Sequence, residues 1–125
     1  MSTQESRASG ARQPDCLFCR IVAGEIPAEI IHDGPLVLGF RDIGPQAPTH
    51  VLFVPKSHLP NAAELALTEP ATVAALVSAA AQVAEAEGLE AGYRLVFNTG
   101  ADAGQTVFHA HLHLLGGRSL TWPPG

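Results

Sequence analysis

Along the chain, apolar positions fall into five short β-prone runs, one long helical stretch and one short one. Val73, Leu76, Val77, Ala80, Val83 and Ala84 recur at helical spacing between Glu69 and Glu87, opened by Thr68-Glu69-Pro70 and closed at Gly88. A single long helix is predicted there. Asp15 is placed to cap a short helix running to about Ala23 and stopped by Gly24. The runs Glu29 to His32 and Leu36 to Arg41, parted by Asp33-Gly34-Pro35, predict a hairpin, and Val51 to Val54 predicts a strand stopped at Pro55. Tyr93 to Asn98 and Val107 to Leu115 predict two more strands, joined by a Gly-rich loop, Thr99 to Gln105. Helix, antiparallel strands, helix, strands is the order of an α+β fold with about five strands, one long helix and one short one.

Composition narrows this little. The 125 residues suit one domain, and 46% hydrophobic against 15% charged residues leaves few charges for the surface, which suggests a buried interface. Residues 1–14 are polar and Gly-containing, without an apolar run, and are expected to form a disordered lead-in to a domain spanning 15–125. The Ala-rich segment near Ala74 to Ala86 is interrupted by Ser78, Gln82 and Glu85, so no membrane span is expected, and the protein is expected in the cytoplasm. A net charge of -5 with seven scattered Lys and Arg residues disfavours long nucleic acid as a partner. The two cysteines, Cys16 and Cys19, have the spacing of half a metal site or of a redox pair, and equally of two core residues on one helix face.

The chemistry concentrates in His109-Ala110-His111-Leu112-His113, which holds three of the six histidines. Read as one strand, the imidazoles form a row with about 7 Å between successive positions, while Ala110, Leu112 and Leu114 face a core. Neutral imidazole is nucleophilic near neutral pH and a phosphorylated imidazole is readily displaced by water, so such a row suits phosphorus chemistry. A His-rich strand that merely binds metal is the bland alternative. His32 and His58 are expected at the surface or at strand ends, outside any site.

The alternating histidines followed by two apolar residues resemble the signature of the histidine triad family. Further segments extend the likeness: Glu25 to Ala28, Asp42 to His50, Val54 to His58, Gly92 to Arg94, and Gly116 through Gly125 are similar to its Hint branch. That resemblance implies a HIT-like fold, a homodimer whose sheet continues across the interface, and hydrolysis of purine nucleoside phosphoramidates through a nucleotidyl-histidine. Long helix and strand 93–98 would supply the dimer contact. Catalytic roles carried over are His111 as nucleophile, His109 as its support, His113 as a phosphate contact, and Thr106, where many relatives have Ser, at the leaving group. Phe18, Ile26 and Ile43 would enclose the base, Asp42 would bind the ribose, and Asn98, Gly104, Gln105 and Thr106 would surround the phosphate. Trp122, in the tail, would shape the leaving-group side of the partner's site. No cofactor is implied for catalysis, but bacterial relatives imply a structural zinc on Cys16, Cys19, His50 and His109. Dinucleoside polyphosphate hydrolysis or nucleotidyl transfer is the second reading, and a nucleotide-binding interaction protein with vestigial activity the third.

Overall fold

The computed structural model describes residues 10–125. The predicted lead-in therefore lies largely outside the described residues, but its last part does not hang free. Gly10 accepts a hydrogen bond from the His58 amide (2.9 Å), Arg12 pairs with Glu25 (2.7 Å), and the Gln13 amide points at Cys19 Sγ (3.4 Å). The folded unit thus takes in Gly10 to Pro14, ahead of the expected boundary at residue 15.

Helix α1 (Leu17–Val22) is followed by strands β1 (Ile30–Asp33), β2 (Val37–Arg41) and β3 (Thr49–Pro55). Helices α2 (Ala62–Thr68) and α3 (Pro70–Ala86) lead to β4 (Tyr93–Phe97), a 3-10 turn at Ala101–Ala103, and β5 (Leu112–Gly116). The strands form one antiparallel sheet in the order β1-β2-β3-β5-β4, so β1 and β4 are its edges. This is the expected α+β, HIT-like architecture, with one long helix, a short one before the sheet, and a second short helix, α2, that the apolar pattern did not reveal. Asn61 starts α2 by accepting the Glu64 amide on its side chain (2.9 Å), a cap that satisfies an otherwise unpaired helix donor.

Side-chain alternation across the sheet creates two cores. Val37, Val51, Phe53, Leu112 and Leu114 face α3 and pack with Leu65, Leu76, Ala80 and Val83. Leu38, Phe40, Leu52 and Val54 face the other way and pack with Phe18 and Ile21 of α1. The long helix ends as its sequence predicts: Gly88 turns to φ +72°, its amide reaches Glu85, and the Leu89 amide reaches Ala84. Leu89 then fills the space beside Gly116, where a Cβ would come within 2.7 Å of its side chain. Among the described residues no helix is long and apolar enough to cross a membrane.

Two expectations about local structure are corrected. Cys16, not Asp15, caps α1, its Sγ accepting from the Cys19 amide (3.4 Å). The last strand starts at Leu112 rather than Val107, so His109 and His111 precede it. Continued register would set Ala110 opposite Pro55, which has no N–H for a ladder, and the Ala110 amide instead donates to Leu59 (2.7 Å). Ala110, Leu112 and Leu114 still all point into the α3-side core.

Candidate functional site

Five of the six histidines sort into two groups on the α1 side of the sheet, while His32, on β1, packs against Phe53. In the first, Cys16 Sγ, Cys19 Sγ, His58 Nδ1 and His109 Nδ1 all lie within 4.8 Å of one another. The histidine that completes this set is His58, and not His50 as expected from the resemblance. Strand β3 ends at Pro55, and the chain turns so that the buried His58 ring reaches the thiol of Cys19 (3.3 Å) and Nδ1 of His109 (3.2 Å). His109 Nδ1 lies 3.4 Å from Cys16 Sγ and 3.6 Å from Cys19 Sγ. A zinc ion with bonds of about 2.3 Å to sulfur and about 2.0–2.1 Å to nitrogen would set tetrahedral edges of about 3.3 Å between nitrogens and about 3.5 Å between nitrogen and sulfur. The His58–His109, Cys19–His58, Cys16–His109 and Cys19–His109 donor pairs already stand close to those separations.

His109 is fully buried, and its Nε2–H donates to the Pro55 carbonyl (2.9 Å), so its Nδ1 carries a lone pair toward the cluster. Burial pushes His109 down to about 4 and the Cys19 thiol up to about 11. Burial thus disfavours the charged forms of His109 and Cys19, whereas a bound cation would favour the thiolate.

The second group contains His50, His111, His113 and Asp42. His111 Nδ1–H donates to the His109 carbonyl (2.8 Å), which leaves the lone pair on Nε2. Its ring packs nearly perpendicular to that of Phe18 (centroids 5.0 Å) and against the ring of His113 (5.0 Å). Burial lowers His111 below the ordinary imidazole value, opposed by its bond to the His109 carbonyl and by Asp42. His113 is pushed down to about 4, chiefly by burial and then by His111 and His50. Burial thus favours the neutral form of both rings. His50 Nε2 lies 3.0 Å from His113 Nδ1 and 3.5 Å from Asp42 Oδ2. Strand alternation explains why: His50 and His113 leave the α1-side face of adjacent strands, with His50 opposite Leu115 and His113 opposite Leu52.

The remaining expected residues divide. Asp42 joins the histidines, while its Oδ1 accepts the Gly44 amide (2.8 Å). Ile43, next in sequence, stands fully in solvent. Phe18 is buried in the α1-side core, its ring nearly perpendicular to that of His111, and Ile26 packs against that same core. Gln105 is 3% exposed with its side-chain amide committed to the loop: it accepts from Gly100 N (2.9 Å) and donates to the carbonyls of Pro60 (2.7 Å) and Val107 (3.1 Å). It shapes the loop that carries Gly104, at φ +92°, and the exposed Thr106. Asn98 follows β4, half-buried, and Trp122 is 82% exposed in the tail. A cleft of about 700 Å³ lined by Gly92, Tyr93, Arg94, Arg118 and Leu120 lies apart from the histidines.

Comparison with known proteins identifies the family. Residues 23–120 match the HIT domain family. An uncharacterized HIT-like protein of Synechococcus elongatus is 49% identical over 111 residues, covering 89% of this chain and 97% of its own. The crystal structure of a HIT family hydrolase from Legionella pneumophila superposes with a TM-score of 0.85 at 51% identity, over 89% of this chain and 100% of that one. A histidine triad nucleotide-binding protein from Candida albicans superposes with a TM-score of 0.76 at 28% identity, over 87% and 83% of the two chains. The chain belongs to the HIT family.

Proposed function

We propose that this protein is a Hint-branch nucleoside phosphoramidase that works through a nucleotidyl-His111 intermediate. The observation that carries the reading is the hydrogen bond from His111 Nδ1–H to the His109 carbonyl, which leaves Nε2 as a free nucleophile in a buried, neutral ring. In the first step Nε2 attacks the phosphorus of a purine nucleoside phosphoramidate. The P–N bond breaks, and the amine leaves with a proton delivered from the leaving-group side, where Thr106 supplies a hydroxyl. Water then attacks the phosphorus, the N–P bond to His111 breaks, and nucleoside monophosphate departs. His113 donates to the phosphoryl oxygens, backbone amides around Gly104 approach the same charge, and Asp42 accepts from the ribose hydroxyls.

Cys16, Cys19, His58 and His109 would hold a structural zinc, whose closed four-ligand shell cross-links α1 to the segment before β5. Two of these chains would form a homodimer through β4 and α3. Its supports are the edge position of β4, whose Tyr93 is exposed, and the exposed Val77 on α3. Trp122 would then reach the partner's leaving-group side. We assign the protein to the cytoplasm.

The test is a comparison of substrates: adenosine and guanosine phosphoramidates against a dinucleoside polyphosphate. Faster turnover of the phosphoramidates, with release of one nucleoside monophosphate and one amine, is expected. Preference for the polyphosphate would overturn the branch assignment, and inertness toward all of them would leave a nucleotide-binding protein without this reaction. Light scattering at a mass of one chain would remove the dimer.

A further inference from the structure

His50 is left over from the metal cluster it was expected to join. We infer that His50 is a positioning residue for the hydrolysis: it fixes which nitrogen of His113 carries the proton, and so makes His113 a hydrogen-bond donor toward the phosphoryl group. The inference rests on the proposed phosphoramidase reading for its kinetic consequence, but on geometry alone for the tautomer.

A chain of hydrogen bonds sets the proton positions. The Gln46 amide donates to His50 Nδ1 (3.0 Å), so that nitrogen presents a lone pair, and the neutral ring must carry its proton on Nε2. His50 Nε2 lies 3.0 Å from His113 Nδ1. Two N–H groups cannot face each other at that distance, so His113 Nδ1 is the acceptor and its proton sits on Nε2, at the far end of the ring. Asp42 Oδ2, 3.5 Å from His50 Nε2, is the weaker second acceptor for the same proton. His113 without His50 could adopt either tautomer, and the one with its proton on Nδ1 would turn a lone pair, rather than a donor, toward an anionic substrate.

The start of the chain is itself held. Arg118, in the segment after β5, donates from Nε (3.2 Å) and Nη2 (2.9 Å) to the Gln46 carbonyl, and the Gln46 side chain donates to the Gly44 carbonyl (3.0 Å). The turn that delivers the amide to His50 is therefore clamped by a guanidinium outside the histidine cluster. His50 itself is 6% exposed, with little room to flip its ring.

The experiment uses the full-length protein in two arms. Long-range proton–nitrogen correlation on protein labelled with ¹⁵N-histidine reads the tautomers directly at neutral pH. His50 and His113 should both show a pyridine-like Nδ1 and a pyrrole-like Nε2, and a His113 protonated on Nδ1 would overturn the inference. The kinetic arm compares two variants of similar size. His50→Gln sets an amide N–H near the position of Nε2 and keeps the donor to His113. His50→Asn keeps an acceptor for the Gln46 amide but cannot reach His113. With adenosine phosphoramidate, kcat should fall about a hundredfold in His50→Asn and no more than about fivefold in His50→Gln, with affinity for AMP little changed in both. Equal losses in the two variants, or no loss in His50→Asn, would contradict it. A wild type that never turns over the phosphoramidate would defeat the proposed reaction, and the tautomer readout would still decide the role of His50.

Discussion

The two histidine groups share a side chain type, a sheet face and a stretch of five residues, yet their chemistry differs because of what saturates each ring. In the first group, the Nδ1 atoms of His58 and His109 meet each other and the thiols of Cys16 and Cys19, with His109 Nε2 already spent on the Pro55 carbonyl. Inward-facing lone pairs and thiols of this kind make a cage for a soft cation. In the second group, backbone groups hold Nδ1 of His50 and Nδ1 of His111, so that Nε2 of His50 carries a proton toward His113 and Nε2 of His111 a lone pair. His109 belongs to both, since its ring serves the cage and its carbonyl orients His111. The role of a histidine is thus read from which nitrogen the fold has used, and not from its presence in a motif.

The strongest way to break this contrast is His111→Ala. Turnover of adenosine phosphoramidate should fall by about four orders of magnitude or more, as expected when a nucleophile is removed from a cooperating set. AMP binding measured by calorimetry should change by less than about tenfold, because the phosphate and ribose contacts remain. Equivalent loss of binding would mean that the ring is a ligand contact only.

Next in size is the effect of emptying the cage. Purified without chelator, the protein should carry one zinc per chain by elemental analysis. His58→Ala should lose it and His50→Ala should keep it. Chelation should destabilise the fold by about 3 kcal/mol, a fall of about 10 °C in Tm at this chain length. Zinc retained in His58→Ala and lost in His50→Ala would restore the ligand set suggested by resemblance.

Acid should act on the second group more gently. His113 is held down to about 4 by burial, and burial also lowers His50, whereas both rings take up protons near the ordinary value of about 6.5 when the chain unfolds. The unfolded chain therefore binds more protons between about pH 6.5 and about pH 4, so their contribution to stability declines as pH falls through that window and levels off below it. Denaturant midpoints followed from pH 7 to pH 4 should drop less steeply in His113→Asn than in wild type. An identical slope would show that His113 does not carry this linkage.

The smallest effect is expected far from both groups: Asn61→Ala should cost about 1 kcal/mol through the lost cap of α2 and leave zinc content and turnover alone. That helix also marks where the sequence was hard to read. Its seven residues bury only Leu65, too few apolar positions to show a helical period, although the Asn61-x-x-Glu64 start signal was present. The long helix and the strands, by contrast, were legible because their apolar positions repeat often enough to fix both period and face.

The site was legible in its residue types and less so in its pairing. Asp42, the triad and the two cysteines are found where chemistry would be sought. Nothing in the spacing, however, distinguishes His50 from His58 as the partner of the thiols. That depends on β3 being long enough to carry His50 onto the same face as His113 and on Pro55 ending it, after which the turn swings His58 toward Cys19. Similarly, the spacing does not reveal that the Gln105 side chain, expected around the phosphate, bonds to the backbone of Pro60, Gly100 and Val107. Tertiary closure, which no local pattern encodes, decided both.

Attack of His111 Nε2 on phosphorus is tested most directly by intact-protein mass spectrometry during a single turnover of adenosine phosphoramidate. A transient gain of one adenylyl group on wild type, absent from His111→Ala and followed by AMP release, is expected. AMP released by wild type at full rate with no adduct at any time point, or an adduct that persists in His111→Ala, would contradict it.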